Sequence, residues 1–241
     1  MHNITRTILV TGTSSGIGKA ITEKLLQLGQ QVIGVSRDLK RLSYKADQFF
    51  GIEIDLSDLQ KLPEHIKTLE KQHPEIDAVI FSAGMGQFGS LEEFSYSQIE
   101  SLLTTNFTSQ VFLAKGLISG LKQKPYSDLV FIGSEAALKG TRKGTIYCAS
   151  KFALRGFTQA LREECGKSNV RVSLINPGMV KTAFFDSLSF EPGDASNQHL
   201  FAEDIADAVC YILNARPGIV IDEINLNPAN RVVKAKNKTD P

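Results

Sequence analysis

The chain contains no tryptophan, three cysteines and four histidines among 241 residues. Cys148, Cys165 and Cys210 are odd in number and far apart, so they do not form a disulfide framework, and no pair has the spacing of metal ligands. The histidines, His2, His65, His73 and His199, are scattered with no ligand spacing, and no metal site is expected. Charge of one sign is also missing: 27 Lys and Arg stand against 26 Asp and Glu, leaving +1. Such a balance gives no field to draw the chain onto nucleic acid or an anionic membrane. No apolar run reaches the ~18–20 residues that a membrane span needs, and the first residues carry no apolar signal core. These absences fit a soluble protein of a reducing compartment, and the expected location is the cytoplasm.

Apolar runs of strand length alternate with segments of helical period. Strands are expected over Thr7–Val10, Gln31–Val35, Gly51–Ile54, Ala78–Phe81, Leu129–Ile132, Arg171–Ile175 and Ile219–Ile224. Several are apolar on both faces, as parallel strands covered above and below by helices are. Helices are expected over Ile17–Leu28, Leu59–Gln72, Tyr96–Leu121, Ile146–Cys165 and Ala202–Leu213. The alternation predicts a doubly wound α/β sheet with right-handed crossovers, of Rossmann type, with about seven strands in one domain spanning 1–241. Two segments read as irregular. Residues 178–200 mix Gly, Pro, Ser and Asp with Phe184, Phe185, Leu188 and Phe190, which suits an apolar lid. Residues 231–241 read as a polar, basic tail that frays.

The first strand ends in Thr11-Gly12-Thr13-Ser14-Ser15-Gly16-Ile17-Gly18, and a helix follows. Glycines allow the backbone to approach a pyrophosphate, and the free N–H groups at a helix start attract the anion. A tight βα loop could look the same, but its place after the first strand of a βαβ pattern favours phosphate binding. Far downstream, Tyr147 and Lys151 lie four apart and share a helix face. A phenol titrates near ~10 and a neighbouring ammonium favours its ionised form, so the pair could exchange a proton with a substrate oxygen.

Thr-Gly-x-x-x-Gly-x-Gly together with Tyr-x-x-x-Lys resembles the short-chain dehydrogenase/reductase family, over nearly the whole chain. The resemblance implies an oxidoreductase that passes hydride between a nicotinamide cofactor and a carbonyl or alcohol. Tyr147 would be the general acid/base, Ser134 would polarise the substrate oxygen, Lys151 would tune Tyr147 and hold the nicotinamide ribose, and Asn106 would bend its helix and complete a proton relay. Ser134 alone could equally be a turn serine or helix cap. Asp55, with Leu56 beside it, matches the aspartate that binds the adenine amino group, or it is an N-cap. Ser82-Ala83-Gly84 stands where the family usually has Asn-Ala-Gly, lying against the ribose. Pro177, Gly178, Val180 and Thr182 match the segment that closes over the nicotinamide.

At the end of the second strand a carboxylate would grip the 2′,3′-diol of NAD, whereas a cation suits the 2′-phosphate of NADP. Here Ser36 is neutral and Arg37 follows, so NADP is favoured over NAD. Arg37 could instead be a solvated loop residue. Ser15 departs from the family, in which many NADP users carry Lys or Arg there. The ending Ile221–Pro228 lacks the Gly-Gly of the common acyl-carrier reductases and is more similar to the small hydroxy-acid, serine-type and sepiapterin-like reductases. The family also implies a homodimer or homotetramer formed through the helices of Asn106 and Tyr147, where Phe107, Val111, Phe112, Phe152 and Phe157 crowd. Two other readings stand beside this one: a regulatory module that holds NADP without turnover, and an NAD-dependent alcohol dehydrogenase.

Overall fold

The computed structural model describes residues 5–41, 44 and 47–236. Seven parallel strands form one sheet: β1 (Thr7–Thr11), β2 (Gln31–Ser36), β3 (Phe49–Glu53), β4 (Ala78–Phe81), β5 (Ser127–Ile132), β6 (Val170–Pro177) and, after the short β7 (Phe190–Pro192), β8 (Glu223–Leu226). Their order is β3-β2-β1-β4-β5-β6-β8. The chain winds outward from β1 to β3 and then returns to the other side of β1 at β4. This reversal opens a crevice at the carboxyl ends of β1 and β4, where open α/β sheets bind ligands.

Alternate residues of each central strand enter opposite cores. Leu9, Val79, Phe81, Leu129 and Phe131 face one side, against α2 (Leu62–Gln72), α4 (Ser109–Lys122) and α5 (Thr145–Cys165). Ile8, Val10, Ile80, Val130 and Ile132 face the other, against α1 (Gly16–Gln27) and α6 (Ala202–Leu213). Each such fully buried aliphatic or aromatic side chain contributes about 1.5–3 kcal/mol. These strands are therefore apolar on both faces and show no period of two.

The opposite, amino edge of the sheet is closed by charge. Asp128, fully buried, accepts from Arg6 at 2.7 Å and from Arg171 at 2.7 and 2.9 Å, and Arg6 also pairs with Asp77 at 2.8 Å. Both guanidiniums stack on the Tyr126 ring. A buried carboxylate is tolerated only when paired in this way.

Three expectations are corrected. The seventh strand lies at Glu223–Leu226, not Ile219–Ile224. Gly218, at φ 89°, turns the chain, Ile219 and Val220 stay exposed, and pairing with β6 begins only at Leu174↔Glu223. The helix expected over Tyr96–Leu121 is broken in the middle: α3 (Tyr96–Leu103) and α4 are joined by a π turn at Thr104–Thr108. Finally, the described part of the tail is paired rather than frayed. Residues Val233–Ala235 form β9, antiparallel to β7. The remainder of that tail, 237–241, and residues 1–4 lie outside the described residues. Among the described residues no helix is long and apolar enough to cross a membrane.

Candidate active site

The carboxyl edge of the sheet opens into one cleft of about 1270 Å³. Its floor at one end is the turn after β1. Gly12 (φ 75°) and Gly16 (φ 54°) adopt left-handed backbone that L side chains rarely take. A Cβ on Gly18 would stand 2.3 Å from the Gly12 carbonyl, and one on Gly12 would stand 3.0 Å from the Ala83 Cα. The cradle is thus closed to side chains from below and open to the cleft, where Ser14, Ser15 and Ile17 also line it. Thr11 ties this turn to β4: its Oγ1 accepts from the N–H groups of Ser82 and Ala83, both at 3.0 Å.

The next stretch of wall comes from Ser36, Arg37, Asp55 and Leu56. Ser36 is buried and donates to the Asp38 carbonyl at 3.2 Å, while Arg37 is exposed. Asp55 Oδ1 accepts from the Ser57 N–H at 2.9 Å and the Ser57 hydroxyl at 2.7 Å. Those hydrogen bonds, with a smaller pull from the Arg37 charge, hold its carboxyl below the usual range. Ser82, Ala83 and Gly84 follow, and the Ser82 hydroxyl is buried without a partner among the described residues. Pro177, Gly178, Val180 and Thr182 form the facing wall. Thr182 closes onto the glycine turn, its Cβ 3.5 Å from where a Gly16 Cβ would stand. The glycine cradle, the inward-facing backbone and the polar orphan at Ser82 fit a dinucleotide.

At the far end Ser134 and Tyr147 share the cleft. Ser134 lies just past β5, and its Oγ accepts from the Ala136 N–H at 3.1 Å, so it caps the short turn Glu135–Ala137 while lining the cleft. Tyr147 is buried, and burial pushes its hydroxyl up to about 12, with hydrogen bonding to Ser134 pulling the other way. In the chain without cofactor Lys151 is not among the groups that offset this rise. The Lys151 amine lies 5.9 Å from the Tyr147 ring centre and donates instead to the Ile132 carbonyl at 3.1 Å. Burial lowers Lys151 itself to about 8. In the chain alone, then, the phenol holds its proton near neutral pH.

Asn106 and Lys151 sit one layer behind the cleft wall, below Gly84. A Cβ on Gly84 would stand 3.3 Å from Asn106 Oδ1 and 3.9 Å from Lys151 Nζ. Asn106, fully buried, accepts from the Met85 N–H at 2.8 Å and donates to the Met85 carbonyl at 2.9 Å and to Ser150 Oγ at 3.2 Å. Ser150 in turn donates to the Tyr147 carbonyl at 2.7 Å. The π turn exists to place this side chain: Ser109 donates its N–H five residues back to Thr104, and Gln110 Nε2 satisfies the Asn106 carbonyl at 2.9 Å and the Ala83 carbonyl at 3.1 Å.

A second polar network lies behind Ser134 and was not foreseen from the sequence. Asn176, fully buried, accepts from the Ser134 N–H at 3.3 Å and donates to Glu223 at 2.7 Å and Asn225 at 3.0 Å. Glu223 pairs with Arg155 at 3.1 Å. The only local signal is the glycine preceding Ser134, since a Cβ on Gly133 would stand 2.2 Å from Asn176 Oδ1. Cys148, Cys165 and Cys210 are all free.

The short chain dehydrogenase model matches residues 6–192, and the chain belongs to that family of oxidoreductases. An uncharacterised oxidoreductase of Staphylococcus aureus (strain MRSA252) is 30% identical over 225 residues, covering 91% of this chain and 96% of that protein. A 3-oxoacyl-[acyl-carrier-protein] reductase of Buchnera aphidicola is 30% identical over 229 residues, covering 90% and 94%. Among solved structures, an alcohol dehydrogenase from the archaeon Thermococcus sibiricus, complexed with 5-hydroxy-NADP, superposes with a TM-score of 0.85 at 25% identity over 95% of this chain and 99% of that one.

Proposed function

We propose that the chain interconverts a carbonyl and an alcohol with NADP(H), Tyr147 acting as general acid/base. The observation that carries this reading is the sharing of one cleft: the Ser134 and Tyr147 hydroxyls stand at one end and the glycine cradle with Arg37 at the other. NADP(H), when bound, supplies or accepts the hydride. Gly12, Gly16 and Gly18 with the start of α1 would hold the pyrophosphate, Asp55 and Leu56 the adenine, and Ser36 and Arg37 the 2′-phosphate. Ser82–Gly84 would lie against the adjoining ribose, and Pro177–Thr182 would cover the nicotinamide. The relative from Thermococcus sibiricus, solved with an NADP analogue, supports that choice of cofactor. NAD is the second reading, because Arg37 already stands close enough to Asp55 to lower its carboxyl.

Tyr147, protonated near neutral pH, donates its proton to the substrate oxygen in the direction of reduction. The Ser134 hydroxyl orients that oxygen. Lys151 remains largely charged at pH 7 with its amine at about 8, and stabilises the phenolate left behind. Asn106 holds Met85 and, through Ser150, the backbone of Tyr147.

We also propose a cytoplasmic homo-oligomer, dimer or tetramer, acting on a small molecule. Phe107, Phe112 and Phe157 are partly buried against the core, while Phe152 remains 43% exposed on α5. Light scattering at micromolar concentration tests this, and a monomer alone would refute it.

The function is tested with NADPH and NADH against a panel of ketones, aldehydes and alcohols. Tyr147→Phe should keep cofactor affinity nearly intact and lower turnover by on the order of 10²–10⁴. NADPH binding with no turnover of any member of the panel would leave the regulatory-module reading instead.

A further inference from the structure

Around Tyr147 five aromatic rings close into a circuit. Tyr147 meets Phe88 at 4.9 Å between centroids, Phe88 meets Phe190 at 5.0 Å, Phe190 meets Phe185 at 5.8 Å, Phe185 meets Phe184 at 5.2 Å, and Phe184 returns to Tyr147 at 6.0 Å. Their contacts are tilted or edge-on, the arrangements that ring quadrupoles favour. All five line the cleft. Of the charged residues at this end, Glu93, Arg142, Lys143 and Asp186 are exposed and Glu135, beside Ser134, is half-buried with its charge raising the Tyr147 hydroxyl further; none belongs to the circuit.

The circuit is held from two sides. Phe184 rests on the backbone of Gly86, where a Cβ would stand 2.2 Å from the ring. On the outer side the carboxy-terminal segment straps the loop down. β9 pairs with β7 in the register Phe190↔Ala235 and Pro192↔Val233, and the Lys236 N–H donates to the Ser189 carbonyl at 2.9 Å. The Lys236 amine donates to the carbonyls of Phe185, at 2.5 Å, and Asp186, at 3.3 Å, ending the turn that carries Phe184 and Phe185. Val233 of the strap itself lines the cleft.

We propose that the substrate is a carbonyl compound, or its alcohol, whose non-reacting body is a flat apolar ring gripped by this collar, and that Lys236 and β9 set the collar's shape. The proposal rests on reading the Tyr147 cleft as a carbonyl site. A ring stacks on such walls in many orientations, whereas a carboxylate or polyol beside Tyr147 would lose water and meet no counter-charge in the collar. In reduction, NADPH supplies a hydride to the carbonyl carbon and Tyr147 a proton to its oxygen, giving the aryl alcohol and NADP⁺. Phe190 is then a specificity-determining residue that touches substrate, and Lys236 a positioning residue.

Two measurements test this. The chain has no tryptophan, so Phe190→Trp introduces a single reporter into the collar. With NADP⁺ present, benzyl alcohol and 1-phenylethanol should change its fluorescence saturably, and should still do so when Tyr147→Phe has removed turnover. Glycerol and 3-hydroxybutyrate should not. This readout is independent of catalysis: saturable aryl binding without turnover would count against the proposed reaction yet sustain the collar. Absence of an aryl-specific signal would overturn the collar even in an active enzyme. Second, kcat/KM for benzaldehyde relative to glyoxylate should fall about tenfold in Phe190→Ala. Phe190→Leu, which keeps apolar bulk without a ring, should lie between Phe190→Ala and wild type. Lys236→Met should move the ratio the same way mainly through KM, with NADPH affinity retained as the sign of an intact fold. Ratios unchanged in all three variants, or a wild-type preference for glyoxylate, would overturn the proposal.

Discussion

Asn106 and Met85 are locked together by a pair of hydrogen bonds, Met85 N–H to Oδ1 at 2.8 Å and Nδ2 to the Met85 carbonyl at 2.9 Å, across the floor of the cleft. The side chain that makes this pair is delivered by a π turn, and the same amide reaches Ser150 on the helix of Tyr147. One residue thereby couples the loop after β4, the interrupted helix and the helix that carries the phenol.

Asn106→Ala should therefore lower both stability and turnover. Buried partners left unsatisfied on Met85 and Ser150 make a loss on the order of 2 kcal/mol in unfolding free energy. Denaturant titration reads that loss, and kcat should fall more than NADPH affinity. An unaltered kcat in a destabilised but folded variant would restrict Asn106 to a structural role.

The pH dependence should follow Lys151. Its buried amine is charged below about 8 and neutral above. Reduction should therefore keep a constant kcat/KM at lower pH and decline as pH rises through about 8, while Tyr147, at about 12, does not limit it. Stability should move the other way. Between about 8 and the ordinary 10.5 the unfolded chain holds this proton and the folded chain does not, so the contribution of Lys151 to stability rises with pH across that window. Thermal unfolding of Lys151→Met against pH should lack that rise.

Cofactor choice should turn on Arg37. A charge-assisted hydrogen bond is worth about 1.5–3 kcal/mol, so Arg37→Ala should weaken NADPH roughly tenfold to a hundredfold and leave NADH nearly unchanged. Ser36→Asp should shift preference toward NADH by repelling the phosphate. Titration of both cofactors against wild type and variants decides the matter, and equal losses for the two would refute the role of Arg37.

The glycine cradle makes the sharpest steric forecast. In Gly18→Ala the new Cβ meets the Gly12 carbonyl at 2.3 Å, so the turn must shift away from its present shape. Overpacking of this kind costs about 1–3 kcal/mol, and NADPH affinity should drop by at least about tenfold. Calorimetric titration showing wild-type affinity would mean that the turn does not bind the cofactor.

The sequence by itself determined the central strands of the sheet and the glycine turn at one end of the cleft. Strands buried on both faces must be continuous apolar runs, and glycine is the residue that accepts φ near 75° and 54° at Gly12 and Gly16, so both left clear marks in composition and spacing. The glycine turn and the Tyr147–Lys151 pair were legible as short local patterns, whereas Ser134, Asp55, Ser82–Gly84 and Pro177–Thr182 stood out only through the family resemblance those patterns carry. Tertiary structure alone decided the rest. No local period announces that four rings from two other segments close around Tyr147, or that the polar segment after Pro228 returns as a strand to hold Phe190 and Phe185. Nor could the Tyr147–Lys151 spacing fix the ionisation of the pair. That depends on desolvation, set by packing between residues far apart in the chain. Asn176 behind Ser134 is another such case: a polar side chain in a buried strand carries no visible purpose until its partners arrive from β5 and β8.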